Sequence, residues 1–132
     1  MGISKEQIAR LARHFEADAR DVLVEGDDPL LLSDPSRVYV TRQPQLQLFC
    51  VGYEAGAAAG RREHVALAGE GQLLIGLTPE GTALLLSGMA GSHVLSLPKA
   101  RFFEAAKQDE LRPIVLSLVE ELALLLSKAL PQ

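Results

Sequence analysis

Apolar positions change their period twice along the chain. From Ser4 to about residue 20, Ile8, Leu11, Ala12, Phe15 and Ala19 recur at the spacing that lays an apolar stripe along one side of a helix, while Arg10, Arg13, Glu16 and Arg20 fall mostly elsewhere. Ser4 followed by Gln7 has the pattern of a capping box, in which hydroxyl and amide satisfy backbone groups at a helix start. Such a helix needs a partner surface. From about 29 to 97 the period shortens. Val38–Arg42 is β-rich, Pro44 marks a turn, and Gln45–Tyr53 alternates before becoming apolar throughout. The segment Ala55–Gly60 offers only small residues and reads as a loop. Short apolar runs at His64–Ala68, Gln72–Leu77, Thr82–Ser87 and Ser92–Leu97 are separated by turn signals at Gly69-Glu70-Gly71, Pro79-Glu80-Gly81 and Gly88–Gly91. That spacing predicts an all-β roll or sandwich and argues against βαβ units.

Beyond residue 97 the helical period returns. Pro98 is suited to open a short helix through Phe102, Phe103, Ala105 and Ala106. Asp109 is placed to cap a longer one from about Leu111 towards residue 130. Its apolar positions are too many for one packing seam: Val115, Leu118, Leu122, Leu125 and Ala129 form one stripe, and Ile114, Leu116, Val119, Leu124 and Leu126 a second. The expected architecture is one mainly β domain over residues 1–132, with a helix at about 4–20, a β-roll (jelly roll) at about 29–97 and two helices at about 98–130. The surplus apolar face predicts a homodimer through the last helix, with Leu118, Leu122, Leu125 and Leu126 at the interface.

Composition narrows the function. In 132 residues there are 24 leucines, no tryptophan and 5% aromatics, so the core is aliphatic. A formal charge of −4 disfavours a nucleic-acid partner. The opening residues lack the apolar run of a signal peptide. The apolar stretch Ile114–Leu130 is short for a membrane span and carries Glu120 and Glu121 at its centre, so no span is expected. A cytoplasmic domain is expected. Cys50, the single cysteine, sits between Phe49 and Val51 and reads as a small core hydrophobe. His14, His64 and His93 show no metal-ligand spacing, and neither the His-x-His pair of a cupin nor a phosphate loop occurs. Asp27-Asp28 and Ser33-Asp34-Pro35 read as turns. No catalytic residue, metal or cofactor is expected.

Two segments carry a resemblance. Pro29-Leu-Leu-Leu-Ser-Asp-Pro-Ser-Arg-Val38, and Gly60-Arg-Arg-Glu-His64 followed by Gly71-Gln-Leu-Leu-Ile-Gly-Leu77, resemble the cyclic-nucleotide-binding-like N-terminal domain of ABC exporters of the nitrile-hydratase-leader microcin type, which export ribosomally made peptides. The resemblance implies a non-catalytic accessory domain of an inner-membrane exporter whose other parts hydrolyse ATP. Its implied partners are the transporter body or the leader segment of the cargo peptide. Sites in the wider cyclic-nucleotide family place a Glu and then an Arg after a Phe-Gly pair. Here Gly76 keeps the glycine, but Leu77 stands in place of the Glu, and no Arg or Lys occurs from Ile75 to Gly91. A buried phosphate needs a fixed cation, so cyclic-nucleotide binding is not expected. Arg61, Arg62, His64 and Gly76 remain as candidate ligand contacts, although Arg61–His64 reads more readily as a solvated hairpin loop whose charges block edge pairing. The alternative function is an effector domain that senses a small molecule or a cyclic nucleotide in the roll. The space between Gly71–Thr82 and the last helix separates the two readings: filled by leucines it opposes sensing, open and polar it favours it.

Overall fold

The computed structural model describes residues 3–129. Helix α1 (Lys5–His14) opens on the expected capping box: Ser4 Oγ accepts from the Gln7 amide at 3.2 Å and Gln7 Oε1 from the Ser4 amide at 2.9 Å. It is shorter than its apolar pattern suggests. The chain turns at Phe15, and Arg20–Leu23 becomes strand β1, whose backbone pairs antiparallel with Ser96–His93. Phe15 and Ala19 still reach the core from the turn, so the stripe continues although the helix does not.

Seven further strands follow among the described residues: β2 (Leu30–Leu31), β3 (Arg37–Thr41), β4 (Leu46–Glu54), β5 (Ala57–Ala68), β6 (Leu73–Ile75), β7 (Thr82–Ser87) and β8 (His93–Pro98). They form two antiparallel four-stranded sheets, ordered β1-β8-β3-β6 and β2-β7-β4-β5. The segment Ala55–Gly60, expected as a loop, is mostly strand. Ala55 and Gly56 both take positive φ (53° and 82°), which is the tight hairpin turn that matches strand twist, and Ala57 already pairs with Glu54. The backbone of this segment comes close to β4: a Cβ on Gly52 would lie 2.6 Å from the Ala59 carbonyl oxygen.

Helices α2 (Lys99–Glu104) and α3 (Arg112–Ala129) follow the roll, joined by a 3-10 turn at Ala105–Lys107; the expected end at residue 130 lies outside the described residues. Pro98 caps α2 as expected. The Asp109 carboxylate accepts from the Arg112 guanidinium, which also donates to the Ala106 and Lys107 carbonyls and so ties the turn to α3.

In the first sheet β8, β3 and β6 are buried on both faces, while the edge strand β1 is mostly exposed. Val38, Val40, Leu73, Leu95 and Leu97 pack against Ile8, Leu11, Phe15, Phe102, Ile114 and Leu118 of the helices. On the opposite face Tyr39, Leu74 and Val94 meet Leu46, Leu48, Ala68 and Leu86 of the second sheet. Helix α3 joins the two cores: Leu118 belongs to the helix-side cluster and Leu125 to the cluster between the sheets. No helix among the described residues is long and apolar enough to cross a membrane.

Candidate functional site

A cleft of about 570 Å³ opens between the second sheet and the far end of α3. Strand alternation builds its walls. Leu48 and Cys50 alternate with Gln47 and Phe49 along β4, Leu84 lies opposite Cys50 on β7, and Val65 comes from β5. Leu125 and Leu126 close it from α3, and the Leu77–Thr82 turn forms the remaining wall. The turn is pinned at both ends. The Leu77 amide donates to the Leu32 carbonyl at 3.1 Å, and the Tyr53 amide donates to the Gly81 carbonyl at 2.9 Å. Gly81 takes a φ of 78°, which glycine adopts without strain.

The chemistry of this lining is one-sided. Leu48, Val65, Leu77, Leu84, Leu125 and Leu126 are apolar, and the oxygen-bearing side chains are Thr78, Glu80 and Thr82, all on the one turn. Glu80 carries the only formal charge, and neither Lys, Arg nor His lines the space. A cyclic phosphate would find no cation and would meet a carboxylate. Cys50 is half-buried against the cleft rather than sealed in the core.

The sequence candidates do not converge on this cleft. Arg61, Arg62 and His64 are exposed on β5, an edge strand, and none of them is among the lining residues. Arg62 lies over the Phe49 ring at 5.9 Å and His64 meets the same ring edge-on at 5.5 Å, so Phe49 organises part of this motif on the outer side of the sheet. Gly76 is buried, but for a backbone reason: a Cβ there would sit 1.9 Å from the Asp34 carbonyl oxygen. Of the four leucines expected at a dimer interface, Leu118 and Leu125 are taken up by the chain's own cores and Leu122 is half-buried. Leu126 is 45% exposed and forms with Leu116 and Val119 the apolar face that α3 leaves open, while Leu124 is exposed on the other side of Leu125.

Two polar groupings were hidden from sequence reading because their members are far apart in the chain. Arg37 is half-buried and spends its guanidinium inside the fold, donating to Ser96 Oγ (2.9 Å), the Ser96 carbonyl (2.9 Å) and the Asp18 carbonyl (3.1 Å). Burial, and then the neighbouring Arg20, pull its pKa below the ordinary value. It holds β3 to β8 and is not available to a phosphate in the cleft. Asp21 accepts from Arg42 at 2.8 Å and faces His93 Nδ1 at 3.3 Å. Burial pushes its carboxyl up, but the bonds from His93 and Arg42 outweigh this and leave the pKa lowered. Among the described residues no three His, Cys, Asp or Glu side chains converge as a metal site would require.

Helix, eight-stranded roll, short helix, long helix closing a cleft: this order has solved counterparts. The fold is the cyclic-nucleotide-binding-like β-roll. The chain is similar to a CooA double mutant from Carboxydothermus hydrogenoformans (TM-score 0.57, 16% identity, 96% of this chain and 75% of that one). The heme domain of CooA from the same organism matches at TM-score 0.57 and 14% identity, over 96% of this chain and 89% of that domain. Oxidised CprK in complex with o-chlorophenolacetic acid matches at TM-score 0.58 and 14% identity, over 91% of this chain and 48% of its own length. The chain thus spans about half of that CprK chain. Identities this low establish the fold alone. No protein family matches the sequence, and no curated protein does.

Proposed function

We propose that the chain is a non-catalytic effector domain that takes a small, largely apolar molecule into the cleft beneath α3 and does not take a cyclic nucleotide. The observation that carries this is the lining: about 570 Å³, within the roughly 300–1,000 Å³ range of small-molecule sites, walled by leucines and valine, with no cation. The space is open yet not polar, which departs from both outcomes that the sequence left. The similar CprK structure is a complex with o-chlorophenolacetic acid, a small aromatic molecule, which supports a small-molecule reading for this chain. Haem, named for the CooA domain, does not fit this lining: Cys50 is the one residue of the usual axial types, and no Arg or Lys faces the space to pair acidic substituents. The test is a titration of the isotope-labelled chain with 1-octanol and, separately, with cyclic AMP and cyclic GMP, followed by NMR. Saturable shifts at Val65, Leu84 and Leu125 are expected with octanol and none with either nucleotide. Micromolar binding of a cyclic nucleotide, or no response to octanol, overturns the reading.

A second reading is favoured by the surface. The Leu116, Val119 and Leu126 face of α3 and the exposed Arg61–His64 stretch suit an accessory domain working through protein contacts. This is the role implied by the resemblance to peptide exporters, in which the domain sits on the cytoplasmic side and pairs through α3 or meets the transporter body or cargo leader. The full-length gene tests it: membrane-spanning helices and a nucleotide-hydrolysing domain after residue 132 are expected, and a chain lacking both would refute it.

A further inference from the structure

We infer that the molecule held in the cleft is an amphiphile with a protonated amine at its polar end, recognised by the Glu80 carboxylate; this rests on the reading of the cleft as a ligand site. The lining separates a ligand into two parts. An apolar body lies along Leu48, Val65, Leu84 and Leu125, and a polar end meets the Leu77–Thr82 turn, where Thr78, Glu80 and Thr82 supply oxygen atoms. The charge at that end is negative and unopposed: no ion pair or hydrogen bond engages Glu80 among the described residues, and no cation lines the space. An ammonium group has three donors and no acceptor, which matches a carboxylate flanked by two hydroxyls. An anion finds the reverse. Pro79, in the middle of the turn, has no amide hydrogen, so the backbone cannot offer the run of successive N–H groups that forms an anion nest. The turn is also held in place before any ligand arrives, by the bonds from Leu77 to Leu32 and from Tyr53 to Gly81, so little ordering is needed on binding. The formal charge of −4 on the whole chain acts in the same direction.

The experiment compares three probes of one chain length: octylammonium chloride, 1-octanol and sodium octanoate, each titrated by NMR into the wild-type chain and into Glu80→Gln. Octylammonium is expected to bind about tenfold more tightly than octanoate, since an exposed charge gives a modest gain for one sign and a similar loss for the other. Octanol should fall between them. In Glu80→Gln the two ions should come within about twofold of each other, and amide-proton dispersion matching the wild type shows that the variant is folded. If octanol binds and octylammonium is no tighter than octanoate, or if the preference survives Glu80→Gln, this inference fails and the cleft reading stands. If none of the three binds, both fail.

Discussion

Replacing Gly76 by alanine separates a structural glycine from a ligand-cradling one. The added Cβ would stand 1.9 Å from the Asp34 carbonyl oxygen, 2.8 Å from its carbon and 3.3 Å from the Arg37 oxygen, all backbone atoms that no rotamer change can remove. Real Cβ atoms essentially never approach within 3.0 Å, so the 34–37 turn must withdraw by at least 1.1 Å (3.0 − 1.9). That turn is tied by the Arg37 amide to the Asp34 carbonyl (3.2 Å) and by the Gly76 amide to the Arg37 carbonyl (3.1 Å), so the movement breaks one or both bonds. Overpacking of this kind costs about 1–3 kcal/mol, and each lost bond adds about 0.5–1.5 kcal/mol. The expected loss is about 1.5–6 kcal/mol, a large share of the ~5–15 kcal/mol that holds a domain together. Urea denaturation of Gly76→Ala beside Gly69→Ala measures it. A Cβ at Gly69 meets nothing within 4 Å, so that control should stay within about 1 kcal/mol of wild type. A Gly76→Ala chain equally close to wild type would refute the steric argument and return Gly76 to the list of ligand contacts.

Leu118→Ala, at a position with no exposure in the helix-side core, should destabilise by about 2–5 kcal/mol in the same assay, whereas Leu124→Ala at an exposed position should change stability little. Leu116→Glu combined with Val119→Glu should leave the fold intact and abolish self-association in analytical ultracentrifugation; a wild-type chain that is monomeric at about 100 micromolar would show that this face does not pair copies of the chain. Asp21 has a folded pKa below its ordinary 3.8, so its contribution is present above that value and lost as pH falls through the lowered one. The stability gap between wild type and Asp21→Asn should therefore close as pH falls below about 4; a gap that persisted at full size well below that pH would contradict the pairing with Arg42 and His93.

How much of this was legible in the sequence follows from how local each signal is. The capping box at Ser4 and Gln7, the turn glycines and the alternation of Leu46, Gln47 and Leu48 are written within a few residues, and they placed α1, β4, β7, β8 and both C-terminal helices. The end of α1 was not legible, because Phe15 and Ala19 reach the same core from a turn as they would from a helix. The start of β5 was missed because alanines carry no period, and only the positive φ at Ala55 and Gly56 folds them back. The site was the least legible part. Its walls come from β4, β5, β7 and α3, and what decides the chemistry is the absence of a cation from the whole lining. The stretch free of Arg and Lys from Ile75 to Gly91 gave half of that answer. The apolar positions of α3 could not be divided between core and surface without knowing that Leu118 and Leu125 serve two different clusters.

That division makes α3 the element through which the cleft and the open surface communicate. Leu118 anchors the helix in the core beneath the first sheet, and Leu125 seats its far end against the second. Leu126 belongs to both surfaces at once: it lines the cleft and is 45% exposed on the face shared with Leu116 and Val119. A molecule that enters the cleft touches Leu125 and Leu126 and so acts on the helix end that a partner would also contact. Binding linkage is reciprocal. If octanol bound to both copies tightens dimerisation by some factor, then dilution to monomer must weaken octanol binding at each site by the square root of that factor, and the two titrations check each other. Leu126→Ala changes both surfaces together, whereas Leu116→Glu alters the open face and leaves the lining of the cleft as it is. Loss of coupling in the first variant, with octanol binding intact in the second, is the pattern that a shared helix end requires.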